Sequence, residues 1–136
     1  MIRVTALALA AVLFLLPGTT RSQEPDCANA ADQATLNACA DASLKKADAE
    51  LNALYRQITG RLDPEGRAHL VAAQRAWIAF RDAECKFAAS AVEGGSAYPM
   101  VHADCLASLT EARIADFKAY LACGEGDLSC PVPPGG

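Results

Sequence analysis

Six cysteines, Cys27, Cys39, Cys85, Cys105, Cys123 and Cys130, carry most of the covalent chemistry available to this chain. An even set of this kind suits a disulfide framework. Zinc fits less well: no Cys-x-x-Cys occurs, and neither His69 nor His102 lies near a cysteine pair at metal-ligand spacing. No Cys-x-x-Cys-His is present for covalent haem, so neither a metal nor a cofactor is expected. Nucleophilic catalysis is equally poorly served. Ser43, Ser90, Ser96 and Ser108 have no histidine in a plausible triad, and a thiol nucleophile would conflict with full pairing. Glu84 and Asp104 could imitate a glycosidase pair, but solvated acids are commoner and a small domain offers little cleft, so no enzyme is expected.

A second group of chemically able residues sits on apolar stripes. Asp48 falls between Leu44 and Leu51, Arg81 shares a face with Ile78 and Cys85, and Arg113 interrupts Leu109 and Phe117. Charges at such positions are rare without partners. An internal cluster of Asp48, Arg81 and Arg113 is expected, with Asn52 and Thr110 supplying hydrogen bonds. It would fix helix register, the alternative being a site for an anion.

The elements that must position these residues are helical. Leu36, Ala40, Leu44, Ala47, Leu51, Leu54, Tyr55, Ile58 and Leu62 recur at three- and four-residue steps, predicting a helix from about Ala34 to Arg61. Asp63-Pro64 is the cap and first turn of a second helix. Its stripe passes through Leu70, Ala73, Trp77, Ile78, Phe80, Cys85 and Phe87 and ends by about Val92, before Gly94-Gly95. Trp77, Phe80 and Phe87 are expected in the core. A third helix follows Tyr98-Pro99, with Val101, Cys105, Leu106, Leu109, Ala112, Phe117, Tyr120 and Leu121, ending by Cys123-Gly124. No segment alternates as a strand would. The fold expected is all-α, an antiparallel three-helix bundle stapled by disulfides.

In an antiparallel bundle, residues equally far from a turn share a height. Turn centres near 63 and 95 place Cys39, Cys85 and Cys105 at one end with Cys27 leading in, and Cys123 and Cys130 at the other. Three pairings survive. Cys27 with Cys39, Cys85 with Cys105 and Cys123 with Cys130 is favoured because each closes a local loop, while Cys39 with Cys85 stays open. The same argument puts His69 and His102 at opposite ends.

The chain has 136 residues, 52% hydrophobic and 21% charged, enough for one small domain. Arg3, the 13-residue apolar run Val4 to Leu16 and Pro17-Gly18 read as a secretory signal over residues 1–22. The run falls short of the roughly 20 residues of a membrane span, and no cysteine follows it for lipidation. A helical domain over 23–122 and a Pro/Gly-rich tail over 123–136 complete the division, with a periplasmic or secreted product and no membrane insertion after cleavage. Without Arg3 and Arg21, ten basic residues face 16 acidic ones, a net charge of about −6. That balance disfavours nucleic acid and favours a basic partner.

Three ordered motifs then become recognisable: Asp48-Ala49-Glu50-Leu51-Asn52-Ala53-Leu54-Tyr55, the run Gln74 to Cys85 (QRAWIAFRDAEC), and Gly94-Gly95-Ser96 followed by Cys105-Leu106 and Thr110-Glu111-Ala112-Arg113. Together with Leu36-Asn37-Ala38-Cys39 this pattern resembles the LprI-like lysozyme inhibitor family over roughly Cys27 to Leu121. The resemblance implies a small helical, disulfide-bonded envelope protein that inhibits lysozyme and shields peptidoglycan. The chain departs from the namesake in lacking a lipidation cysteine and in carrying the Cys123 to Cys130 tail. A lysozyme-type partner is therefore expected. The best contact candidate is the loop Glu93-Gly94-Gly95-Ser96-Ala97-Tyr98-Pro99, pinned between Cys85 and Cys105 and offering the hydroxyls of Ser96 and Tyr98 to a sugar-binding cleft. The competing expectation is a non-catalytic envelope module that binds a different protein, a toxin or a small ligand.

Overall fold

A computed structural model describes residues 24–135. The predicted signal segment lies outside the described residues. A short 3-10 turn, Cys27–Asn29, leads into α1 (Gln33–Arg61), α2 (Pro64–Ala88), a second 3-10 turn (Ser90–Val92) and α3 (Tyr98–Leu121). No strand occurs among the described residues.

The starts of α1 and α2 are capped by carboxylates. Asp32, in extended backbone, caps α1: its carboxylate accepts from the Thr35 backbone N–H at 2.9 Å and from the Thr35 hydroxyl at 2.6 Å. Leu62 breaks α1 in extended backbone, and Asp63 at once caps α2 by accepting from the Gly66 N–H at 2.7 Å, with Pro64 in the first turn. The helix predicted to continue to Val92 stops at Ala88. There Ala89 is fully buried, its N–H bonds Cys85 O and Phe87 O, and the chain tightens into the 3-10 turn before Gly94.

The Asp32 cap also makes a pH prediction. The Thr35 hydroxyl, then the Thr35 N–H, hold the Asp32 carboxyl below its ordinary 3.8. Because the folded pKa is the depressed one, the cap is intact above the unfolded value and is lost as pH falls through the folded value. The Thr35 amide resonance should therefore titrate with a midpoint below 3.8. Asp32→Asn should remove that titration while leaving α2 and α3 resonances in place.

The core runs between α1 and α3. Ala40, Ala47, Leu51, Leu54 and Ile58 of α1 meet Ala103, Ala107, Thr110, Ile114 and Phe117 of α3, all buried. Small alanines at one end of both stripes let the two backbones approach closely, and larger side chains fill the other end. Contacts keep the same order along both helices: Gln33 Nε2 reaches Met100 Sδ, Glu50 pairs with Lys118, and Arg61 reaches Leu121 O. Against α2 the order is reversed, Arg81 meeting Thr110 and Gln74 meeting Arg113. The chain thus goes up, down and up.

α2 is held differently from the other two helices. Cys85 is its one buried residue. Phe80 and Phe87, expected in the core, are 55% and 76% exposed, and Ile78 is 40% exposed; Trp77 is half-buried. At about 100° per residue Phe80 and Phe87 lie roughly 140° and 160° from Cys85, on the opposite face. The face that turns inward carries Leu70, Gln74, Trp77, Arg81 and Cys85.

All six cysteines are paired, as Cys27–Cys39, Cys85–Cys105 and Cys123–Cys130. The open alternative of Cys39 with Cys85 does not occur. The tail has no regular structure, but it is not loose: Val132 is 2% exposed and belongs to the main core cluster. An Asp127 carboxylate that accepts from the Ser129 N–H and hydroxyl shapes the turn closed by Cys123–Cys130.

Candidate functional site

Arg81 joins the three helices. Its Nη1 donates to Asp48 Oδ1 of α1 at 3.1 Å and to Thr110 Oγ1 of α3 at 3.2 Å, its Nε donates to Asp82 Oδ1 at 3.0 Å, and its Nη2 lies 3.0 Å from that same oxygen. The guanidinium also lies 5.1 Å from the Trp77 ring centroid. Thr110 is fully buried, so its hydroxyl needs this partner. With two carboxylates around one guanidinium, the group is neutralised and its donors are largely spent. That is what a register device requires, and it leaves little for an incoming anion.

The expected five-residue cluster therefore divides. Arg113 stands one turn farther along α3 than Thr110, at the height of Gln74, and donates from Nε to Gln74 Oε1 at 3.3 Å and from Nη1 to Asp116 Oδ2 at 3.5 Å. Its guanidinium covers the Phe117 ring at 4.7 Å. Asn52 is exposed and joins neither group. Equal distance from the turns gave height to within a turn, and one turn of about 5.4 Å is enough to change a partner. Gln74, Trp77 and Asp82 were missed as members of these groups. The first two had a signal, since 74, 77, 81 and 85 share one helical face.

The loop between α2 and α3 is exposed at Glu93, Gly94, Gly95 and Ser96. Gly94 has φ +79, which side chains rarely adopt, and a Cβ on Gly95 would meet Val92 O at 3.2 Å. The tip is tied down on both sides. Asn37 Nδ2 of α1 donates to Ser96 O at 3.0 Å, and Cys85–Cys105 closes its base. Tyr98, the first residue of α3, is half-buried and stacks on His102 one turn along the same helix at 5.4 Å. The Ser96 side chain stays exposed, and Glu93 adds one exposed negative charge to the loop.

His69 is exposed beside Glu65 at 3.8 Å, at the far end from His102. Among the described residues no group of three His, Cys, Asp or Glu could hold a metal ion, and no helix is long and apolar enough to cross a membrane.

The arrangement defines a helical, disulfide-stapled domain with an exposed, tied-down loop and an internal ion cluster that joins the three helices. Residues 27–117 match the family described as Lysozyme inhibitor LprI. The chain belongs to the LprI lysozyme inhibitor family. It is similar to an uncharacterized protein of Rhizobium meliloti (strain 1021), 39% identical over 122 residues, spanning 80% of this chain and 88% of that one. No solved structure matches.

Proposed function

We propose that this protein is an exported inhibitor that binds lysozyme and shields peptidoglycan, itself catalysing no reaction. Membership of the LprI family carries the reading. Three closed disulfides with no free cysteine among the described residues suit an oxidising periplasmic or extracellular compartment. The acidic balance would speed encounter with a strongly basic lysozyme.

In this reading the exposed tip Glu93 to Ser96 enters the enzyme's sugar cleft, with Ser96 and Tyr98 presenting their hydroxyls. A loop fixed before binding loses little entropy on docking. Lysis of cell walls by a basic animal-type lysozyme, with and without the oxidised domain, tests it. Dose-dependent protection that disappears after reduction and alkylation is expected. Ser96→Ala with Tyr98→Ala should weaken inhibition roughly 10- to 100-fold, the equivalent of one or two hydrogen bonds to charged groups. Full protection by that double variant would discard the loop, and no protection by the folded wild type at large molar excess would discard lysozyme as the partner.

A different envelope protein is the second reading, favoured by the outward Phe80 and Phe87 of α2. Phe80→Ser with Phe87→Ser should then abolish capture of that partner while leaving lysozyme inhibition unchanged.

A further inference from the structure

The two inward-facing arginines are unequal. Arg81 has two carboxylates at 3.0 and 3.1 Å, whereas Arg113, with only 12% of its side chain exposed, has one, at 3.5 Å on an Asp116 that is itself 57% exposed. Its other bond, to Gln74, carries no countercharge and is long at 3.3 Å. A guanidinium so far withdrawn from water is under-neutralised.

Arg113 also lines a cavity of about 410 Å³ between the end of α1, the start of α2, the end of α3 and the tail. Small-molecule sites run from roughly 300 to 1,000 Å³. The lining is predominantly apolar: Ile58, Leu62 and Val132 are buried, and Leu70 and Tyr120 are half-buried. Among the lining residues His69 is exposed with Glu65 beside it, and Arg113 is the one that carries a permanent charge.

A largely apolar, open groove with one cation short of an anion describes its ligand. We infer that this cavity binds a single-chain carboxylate amphiphile, the alkyl body against Ile58, Leu62 and Val132 and the carboxylate on Arg113. Guanidinium and carboxylate can pair through two parallel bonds, a match that a neutral headgroup cannot reproduce. The site is independent of the lysozyme reading, since it lies at the end of the bundle opposite the Glu93 to Ser96 loop. It also gives the Cys123–Cys130 loop a task, because that loop carries Val132 into the wall.

Calorimetry and amide chemical-shift mapping on the oxidised domain test this with octanoate, hexanoate and 1-octanol. Octanoate should bind in the sub-millimolar range, at least about tenfold tighter than 1-octanol. Each methylene should add roughly fourfold, so hexanoate should be weaker by about tenfold or more. Arg113→Gln should erase the preference for the acid. Ala73→Trp, at an exposed position on the rim, should block both ligands without altering the helical circular dichroism. Equal binding of acid and alcohol, binding that survives Ala73→Trp, or no binding at millimolar octanoate would each overturn the assignment.

Discussion

Replacing Cys85 and Cys105 together by alanine is expected to lower the melting temperature by about 10 to 20 °C and to raise hydrogen exchange across α2 far more than across α1 and α3. The bridge spans 20 residues, and loop-closure entropy gives it about 3 kcal/mol. At 4–8 °C per kcal/mol for a domain near this size, the shift follows. Its distribution is the more telling part. α1 and α3 share the buried stripes, while α2 contributes Cys85 alone to the fully buried set, with Trp77 and Leu70 packed partly against the core. What else holds α2 is polar: Arg81 to Asp48 and Thr110, and Arg113 to Gln74. Arg81, Arg113 and Thr110 are withdrawn from water but Asp48 stays partly exposed, and each such bond contributes only about 0.5–3 kcal/mol net. Without the bridge, α2 should open as a unit before the α1–α3 pair unfolds. Exchange that rises uniformly over all three helices, or a shift below about 3 °C, would mean that the polar bridges rather than the disulfide hold α2.

The same asymmetry explains what the amino-acid pattern could and could not disclose. The start of α2 was legible because Asp63 is a capping residue and Pro64 marks a first turn; α1 begins one residue earlier than periodicity placed it, at an Asp32 cap that the periodicity did not use. Height within the bundle reduced the cysteine pairings to three, and the preference for closing local loops picked the one that occurs. The inner face of α2 was not. Phe80, Phe87 and Ile78 satisfy a loose apolar pattern, yet a helix cannot turn residues 80 and 85 to the same side. Reading the stripe from Cys85, whose bridge to α3 fixes it inward, would have added Gln74 and Arg81 to Trp77 and dropped Phe80 and Phe87, though it would have kept Ile78, which lies about 20° from Cys85 and is still 40% exposed. Arg113 was displaced from its expected partners because height arguments carry an error of about one turn. Val132 gave no signal at all, since a lone valine in a Pro/Gly tail has no period. Its burial depends on where the Cys123–Cys130 loop aims the chain.

Phe117→Ala is expected to cost about 3–5 kcal/mol, the usual range for emptying a buried phenylalanine site. Phe117 is fully buried at the centre of the main cluster, with the Tyr55 and Tyr120 rings at 6.4 and 6.3 Å and the Arg113 guanidinium at 4.7 Å. Removing the ring opens a cavity and strips Arg113 of its cation–π contact, so collapse around the site would bury a charge still less well compensated. Against a total of roughly 5–15 kcal/mol for a domain, this leaves the variant near its unfolding threshold. Urea titration should show the midpoint fall with an unchanged slope, which assigns the loss to stability rather than to a different unfolded state. Phe117→Leu keeps most of the volume and should lose under about 2 kcal/mol. Phe87→Ala provides the contrast: its ring is 76% exposed, so its removal should change stability by no more than about 0.5 kcal/mol. A Phe87→Ala cost comparable to that of Phe117→Ala would mean that α2 turns its other face to the core, and that the Arg81 fork does not set its rotation.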